Sequence, residues 1–413
     1  LLKKMDYTVT PLVGKPPKKI WVTVPGSKSI TARAFLLATL AKGESTLNGA
    51  SLCDDCLTFL ECLKALGISV CINGATVKIW GCGGVLPVSN ATINVGSAGT
   101  AARFLTAMLA FQRGSFTINC SEQMKHRPIK PLIDTLKQLG ATFEFLEEEN
   151  SFPFVLHGTN QPSKKISVEI DASSQFLSGL LLAGVCAPYP VQIVAQGAHG
   201  MDYVNMTLDM MWSFGVTVQE EEASFTVSGK YVAKTYDIEP DVSAACYFYA
   251  INKIAGTEIA VKGILPHTMQ GDYQFIKLMK DFEGGTVDMA HFADQALTLA
   301  AVAPYLKKPT HICNVAHVRG QECDRISAIC TNLQAMGVKV EEHADGVTIY
   351  PATPHGAMLP TFGDHRVAMA FAVCGTVTQG ITIQNAEVCA KTFPTFFEVL
   401  TEITNQLTNQ PNL

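Results

Sequence analysis

Hydrophobic and polar positions alternate between two periods along this chain. Six stretches are apolar almost all round and rich in Ala and Leu: Ser27–Gly43, Ser97–Gly114, Ala172–Gly184, Asp241–Gly256, Ala293–Tyr305 and Asp364–Gly375. Each opens on polar or charged residues, and most stop at Gly. A helix without a polar face is buried on every side. Each is followed by a second helical stretch whose apolar positions recur at helical spacing among Lys, Glu and Gln, as at Leu132, Ile133, Leu136 and Leu139. These second helices are expected to lie outside. Five of them run into Gly and then β-branched alternation, at Gly67, Gly140, Gly215, Gly284 and Gly337. The recurrence predicts an internally repeated α/β architecture, each unit reading strand, helix, strand, helix and two closing strands. In the first unit Ile20–Val24 alternates as a strand, and Val70–Ile72 and Thr76–Trp80 flank Asn73-Gly74, a strong hairpin signal. In the fifth, Val338–Glu342 and Val347–Tyr350 flank Asp345-Gly346.

Two domains are expected of 413 residues. Three units in each is the simplest division. Residues 24–237 would form one domain, and residues 1–23 with 238–413 a second, discontinuous one. The sixth unit lacks closing strands after Lys391–Leu400, and Tyr7–Val22 is the candidate to supply them.

Composition narrows the function. The chain is 47% hydrophobic and 16% charged, with a net charge of −5, which argues against a nucleic-acid partner. Its longest apolar run, Phe176–Ala187, is too short to span a membrane. The opening Leu-Leu-Lys-Lys carries neither a signal-peptide core nor an initiating Met, so the start reads as a trimmed boundary and the compartment as cytoplasmic. The 13 cysteines are odd in number and scattered, as in a reduced protein. Cys53 and Cys56 form one C-x-x-C with no companion pair, so buried thiols are favoured over a metal or redox site. No metal and no cofactor are expected.

The cations gather where the apolar helices begin. A helix N-terminus presents free N–H groups and partial positive charge, a ready anion site. Pro25-Gly-Ser-Lys-Ser29 places Lys28 at such a mouth, with Ser29 and Arg33 on one face; it lacks the Gly spacing of a Walker A loop. Gly96-Ser-Ala-Gly-Thr100 with Arg103 repeats the arrangement. Arg127-Pro128 opens another helix, and Ser173-Ser174-Gln175 another still, where simple capping competes with binding. Asp294 begins the fifth apolar helix. Arg319 to Arg325 packs five polar groups before a helix, Asp364-His365-Arg366 does the same in the sixth unit, and Lys391-Thr-Phe-Pro394 ends the series.

Together these strings resemble the 5-enolpyruvylshikimate-3-phosphate synthase family, from about Val22 to Leu400. The marks are PGSKS, AGTxxR, MKxRP (Met124–Pro128), SSQF (Ser173–Phe176), TMQGD (Thr268–Asp272), ExDR (Glu322–Arg325), DHRxAM (Asp364–Met369) and KTFP. The resemblance implies an inverse α/β fold: two domains of three βαβαββ units closing on the substrates. It implies transfer of the enolpyruvyl group of phosphoenolpyruvate to the 5-hydroxyl of shikimate 3-phosphate, releasing phosphate, by a monomer. On that basis Lys28, Ser29, Arg33, Ser173, Ser174, Gln175, Tyr203 and Asp294 would meet shikimate 3-phosphate. Lys28, Gly99, Thr100, Arg103, Arg127, Gln175, Arg325, Arg366 and Lys391 would meet phosphoenolpyruvate. Asp294 and Glu322 would be the acid/base carboxylates, with Lys28 the catalytic cation.

Five positions depart from the family pattern: Ala32, Ser97 and His317 where Asn is usual, Gly200 where Ser is usual, and Gln321 where Lys is usual. His317 and Gln321 are therefore the least secure contacts to shikimate 3-phosphate. Gln321 cannot carry charge, and the expectation is that Arg319 or His317 substitutes in part. Two other readings compete. A UDP-sugar enolpyruvyl transferase would use a loop cysteine, for which Cys120 is the neighbour. A catalytically impaired anion-binding relative would fit Gln321 alone.

Overall fold

The computed structural model describes residues 5–12 and 19–408. The N-terminal stretch gives β1 (Tyr7–Thr8) and β2 (Ile20–Val22). There follow α1 (Lys28–Leu40), β3 (Lys42–Asn48), α2 (Asp54–Ala65), β4 (Ser69–Asn73), β5 (Thr76–Cys82), β6 (Asn90–Asn94) and α3 (Gly99–Ala110). Next are β7 (Gly114–Asn119), a single turn α4 (Glu122–Lys125), α5 (Lys130–Leu139), β8 (Thr142–Phe145), β9 (Phe154–Gly158), β10 (Lys165–Glu169) and α6 (Gln175–Ala183). Then come β11 (Val191–Gln196), α7 (Met201–Ser213), β12 (Gln219–Glu221), β13 (Ser224–Val227) and β14 (Thr235–Asp237). The rest comprises α8 (Val242–Ala255), β15 (Ile259–Val261), α9 (Tyr273–Asp281), β16 (Gly285–Asp288), α10 (Ala296–Val302), β17 (Thr310–Cys313) and α11 (Arg325–Ala335). It ends with β18 (Val340–His343), β19 (Gly346–Ile349), β20 (Met358–Leu359), α12 (His365–Gly375), β21 (Thr382–Ile383) and α13 (Phe396–Thr408). No helix among the described residues is long and apolar enough to cross a membrane.

The chain forms two compact units. One is Gly26–Glu239; the other joins the residues up to Pro25 with those from Pro240 onward. In the first, α1, α3 and α6 are the apolar helices. Every α1 residue from Ile30 to Leu40 is buried, and α3 and α6 are buried along nearly their whole length. Gly179 on α6 permits close approach, since a Cβ there would sit 3.2 Å from the Ala107 methyl of α3. The outer helix α5 buries Leu132, Ile133, Leu136 and Leu139, then ends on Gly140 at φ 109°, a left-handed stop that relieves the last carbonyls. In the second unit α8, α10 and α12 hold the same interior place, with Ala244–Phe248, Ala296–Ala303 and Val367–Gly375 forming the core.

Each complete unit closes on a four-stranded sheet. β6 pairs parallel to β7, which runs antiparallel to β9, and β9 to β8; β10-β11-β13-β12 and β16-β17-β19-β18 repeat that order. Parallel pairing of the first two strands follows from the buried crossover helix between them.

Two details differ from the sequence expectation. The first unit's opening strand is β14, which pairs parallel to β3, not Ile20–Val24. β2 instead pairs with β15, so it opens the fourth unit, and alternation alone could not name its neighbour. That unit has no closing hairpin among the described residues, because Gly285–Asp288 is the first strand of the fifth. The sixth sheet is β1-β21-β20, with Tyr7 opposite Ile383. Residues 13–18 of the Tyr7–Val22 segment, and the Leu-Leu-Lys-Lys start, lie outside the described residues.

Both hairpin turns also sit one residue from where the dipeptides placed them. Asn73 pairs with Thr76, so Gly74-Ala75 is the loop; His343 pairs with Gly346, so Ala344-Asp345 is the loop. Gly346 is needed in the strand itself, where a Cβ would lie 1.9 Å from the Ile312 carbonyl oxygen. Gly346→Ala is accordingly expected to destabilise the protein by about 2–3 kcal/mol, the cost of forcing atoms into a packed interior, seen as a lower urea midpoint.

Candidate functional site

In the Gly26–Glu239 unit the mouths of the buried helices carry the predicted residues. Ser27 caps α1, its Oγ accepting from the Ile30 N–H at 3.4 Å. Lys28 follows at the first helical position and pairs with Asp55 of α2 at 3.2 Å. Asp55 was not among the expected residues; its signal was the acidic first turn Asp54-Asp55, which suits a helix N-terminus in any case.

Arg33 is buried more deeply than an open ligand group. It donates from Nε to Thr207 Oγ1 (2.8 Å), from Nη1 to the Ser29 carbonyl (3.0 Å), and from Nη2 to the Tyr203 carbonyl (3.0 Å) and Ser178 Oγ (3.5 Å). Burial lowers its pKa to about 10, against the raising influence of Tyr203. The residue therefore braces Ser29 and Tyr203 from beneath, and the structure brings these three together.

The strongest electrostatic feature is at Gly99. A Cβ there would lie 2.8 Å from Arg127 Nη1 and 2.9 Å from Arg103 Nη1. Two guanidinium groups thus flank one glycine at the start of α3. Arg103 is held by the Gly99 and Pro128 carbonyls (3.2 and 2.9 Å), so its charge is fixed in place. Like charges at such range repel unless an anion joins them, and the helix N-terminus adds its own N–H groups. Gln175 of α6 donates to Thr100 Oγ1 at 3.3 Å, tying the third helix mouth to the second. Ser173 Oγ accepts from the Gln175 N–H, and Ser174 is the buried N-cap of α6.

In the other unit the charges form an ion-pair network around Arg325. Its Nε meets Asp364 Oδ2 at 2.7 Å, Nη2 meets Glu322 Oε2 at 3.1 Å, and Nη1 meets Asp294 Oδ1 at 3.1 Å. The other Asp294 oxygen takes Arg366 Nη2 at 2.9 Å. Burial alone would lower the Arg325 pKa, but Asp364, Glu322 and Asp294 together raise it. Asp364 also caps α12, accepting from the Arg366 N–H at 2.8 Å. It is fully buried, holds the Arg325 guanidinium and caps the helix that carries Arg366, a role that the sequence string DHR contained but did not assign. Lys391 is buried at the end of the short helical turn Ala386–Lys391.

Gln321 accepts a hydrogen bond from Arg325 Nη1. A Lys in its place could not accept, and would set an ammonium beside the guanidinium. Arg319 does not substitute for that Lys: its guanidinium is committed to Asp324 and Glu342 (both 2.8 Å) and to the His343 and Ala344 carbonyls. It locks the β18–β19 hairpin instead, because a planar fork fits two carboxylates and two carbonyls at once. His317 stands half-buried in the turn Ala316–Gly320. The departure at Gly200 also has a structural reason. Gly200 sits at φ 66°, and a Cβ would meet Ser174 Oγ at 2.6 Å, so Ser is excluded here on two counts. Ala32 is buried within α1 among apolar residues.

Sequence reasoning gave no role to Asp272 of the TMQGD string. It is buried, accepts from Ser243 Oγ and from Gln295 Nε2 (2.7 Å), and stands next in sequence order to Asp294 in the same electrostatic group. Burial foremost, then Asp294, raise its pKa to about 6, with Arg366 opposing.

Solved structures with this fold include EPSP synthase from Acinetobacter baumannii. Two such chains give TM-scores of 0.80 and 0.79 at 24% identity, covering 97% and 96% of this chain and 98% of each of those. The class is thus that of a two-domain inverse α/β fold. The family model for EPSP synthase (3-phosphoshikimate 1-carboxyvinyltransferase) matches residues 17–284 and 279–400. Among curated relatives, "3-phosphoshikimate 1-carboxyvinyltransferase 2" of Halalkalibacterium halodurans is 37% identical, with 92% of this chain and 91% of that protein aligned. 3-Phosphoshikimate 1-carboxyvinyltransferase of Trichormus variabilis is 36% identical, with 95% and 98% aligned. The chain belongs to the EPSP synthase family.

The raised Asp272 pKa has a signed consequence. Its neutral form is favoured in the fold, so its contribution is complete below the usual carboxylate range and is lost as pH rises through about 6. Asp272→Asn is expected to remove that slope, narrowing the stability difference between pH 5 and pH 7.5 by roughly 1–3 kcal/mol. Urea unfolding of both proteins at the two pH values measures it.

Proposed function

We propose that the protein transfers the enolpyruvyl group of phosphoenolpyruvate to the 5-hydroxyl of shikimate 3-phosphate, as a cytoplasmic monomer in aromatic amino acid biosynthesis. The observation that carries the anion-binding half is the pair of guanidiniums at Gly99. The relatives' shared activity supplies the reaction.

Each phosphate brings roughly −1.5 to −2 charges at pH 7, and each substrate adds a carboxylate. Arg103 and Arg127 take the phosphoenolpyruvate anion at the mouth of α3, with the Thr100 and Gly99 N–H groups and Gln175. Arg325, Arg366 and Lys391 serve the same substrate in their own unit. Lys28, Ser29, Ser173, Ser174, Gln175 and Tyr203 receive shikimate 3-phosphate, with Arg33 contributing mainly by bracing Ser29 and Tyr203. Gln321, which accepts from Arg325, and His317 of the preceding turn complete the shikimate 3-phosphate set.

The chemistry follows from two carboxylates. The methylene carbon of phosphoenolpyruvate takes a proton while the 5-hydroxyl oxygen attacks the neighbouring carbon and loses its own. A tetrahedral phosphate ketal forms. Departure of phosphate and loss of a methyl proton restore the enol. Asp294 is assigned to the hydroxyl and Glu322 to the methylene, such transfers each being worth about 10²–10⁴-fold. Both are held by Arg325, which orients them until substrate anions compete for its fork. Lys and Arg supply the electrostatic stabilisation of the developing charge.

The cysteine-dependent alternative is disfavoured by Cys120 itself. Burial raises its pKa to about 11, so little thiolate exists near neutrality. Cys120→Ser should retain activity.

Phosphate release is expected to require both substrates and to fall at least about 10²-fold in Asp294→Ala. Release without shikimate 3-phosphate, or unchanged release in the variant, would overturn the assignment. Gly99→Ala should raise the KM for phosphoenolpyruvate and weaken inhibition by glyphosate, because the added methyl meets both guanidiniums. Steady-state titration of each ligand checks this; unchanged constants would remove Arg103 and Arg127 from the phosphoenolpyruvate site.

A further inference from the structure

Cys53 and Cys56 occupy the first turn of α2 and take no part in the transferase chemistry. Cys53 is the N-cap residue, and the Cys56 and Leu57 N–H groups both bond its carbonyl at 2.9 Å. Cys56 is therefore three residues along the same helical turn. Helical geometry sets Cα atoms three residues apart at about 5 Å, inside the span that a disulfide bridges. The two thiols belong to one helical turn. Both are buried to about 1% exposure, and all the cysteines are reduced. A metal role would need further ligands, and no group of three or more His, Cys, Asp or Glu able to hold an ion stands together among the described residues.

The surroundings bias one sulfur. The neighbouring Cys56 thiol lowers the Cys53 pKa to about 7 against the effect of burial, with Lys28 and Ser51 assisting, while Cys56 is raised. The amide N–H groups at the start of α2 favour the thiolate in the same direction. Of the two residues between the cysteines, Asp55 holds Lys28 at 3.2 Å. Ser51, two residues before Cys53, donates its backbone N–H to Thr31 of α1 at 3.0 Å. The thiol pair is thus mechanically and electrostatically joined to the mouth of α1.

We propose that Cys53 and Cys56 form a reversible dithiol–disulfide site whose oxidation state is sensed by Lys28. The oxidant is a peroxide, water-sized in its smallest form and so suited to a buried pair. The Cys53 thiolate attacks one peroxide oxygen; the O–O bond breaks, and with one proton the products are a sulfenic acid and water. The Cys56 sulfur then attacks the Cys53 sulfur. The S–O bond breaks, the hydroxyl leaves with the Cys56 proton as a second water, and the disulfide is formed. Two thiols lose two electrons to one peroxide. A small dithiol reverses the step by exchange, becoming oxidised as the protein pair is reduced. The oxidised pair carries no thiolate, so Lys28 loses a neighbouring negative charge and its amine deprotonates more readily.

The test uses the full chain, hydrogen peroxide as oxidant and dithiothreitol as reductant, and none of its readouts depends on turnover. After oxidation, free thiols are blocked with N-ethylmaleimide and the tryptic peptide Gly43–Lys64 is weighed. It is expected to carry one N-ethylmaleimide, on Cys62, where the reduced control carries three, and to lack the two hydrogens of the Cys53 and Cys56 thiols. Burial raises Cys62 to about 12, so it serves as the unreactive control in the same peptide. Dithiothreitol should restore the mass. Acetylation of Lys28 by an amine-directed ester should proceed about fivefold faster in the oxidised form, the lower end of ordinary coupling between sites. Cys56→Ser should abolish both effects, and Cys53→Ser provides an independent variant should that one fail to fold. A pair still reduced after millimolar peroxide, or an unchanged Lys28 rate, would each overturn the proposal.

Discussion

Burying whole helices is the constraint on which this structure rests. In each compact unit three helices are apolar on every face, so water meets them only at their ends. The first N–H groups of a helix have no partner within it. Inside an apolar core those groups would be costly, so the helices end where capping side chains, cations and ligands can gather. Ser27, Asp241, Asp324 and Asp364 show the capping solution. Arg103 and Arg127 at Gly99 show the cationic one. Chemistry on anions is thus built into the same feature that gives the fold its core.

The two units treat charge differently. At α3 two guanidiniums flank a glycine. Around Arg325 the cations are already partnered by Asp294, Glu322 and Asp364. Breaking a buried ion pair is expensive unless another anion replaces the lost partner. The network therefore keeps Arg325 and Arg366 ordered, and it keeps Asp294 and Glu322 within reach of the groups that control their protonation. Asp272, pushed toward neutrality by burial and by Asp294, limits the negative charge that this cluster must hold.

The departures from the family pattern have separate causes. Gly200 is set by backbone and space, since its left-handed conformation and the nearby Ser174 hydroxyl exclude Ser. Gln321 is matched to Arg325, to which it offers an oxygen in place of a charge. Arg319, the nearest candidate to restore that charge, is spent on Asp324, Glu342 and two carbonyls of the adjoining hairpin. The reaction assigned to this chain must therefore proceed with one cation fewer beside Glu322 than the family pattern provides.

The sequence by itself determined the local facts. Apolar runs without a polar face marked the buried helices, left-handed glycines marked where α5 and α8 stop, and the strings at helix mouths marked where capping residues and cations gather. These are legible because each depends on neighbours within a few positions. The tertiary structure decided whatever depends on partners far along the chain. It paired β2 with β15 and β14 with β3, joined β1 to β21, and moved the β18–β19 loop by one residue because Gly346 must pass the Ile312 carbonyl. It gave Lys28 to Asp55, Arg33 to Thr207 and Tyr203, and Asp364 to Arg325. A residue's type sets what bonds it can make; only the packed chain sets which partner is within 3 Å when water is excluded.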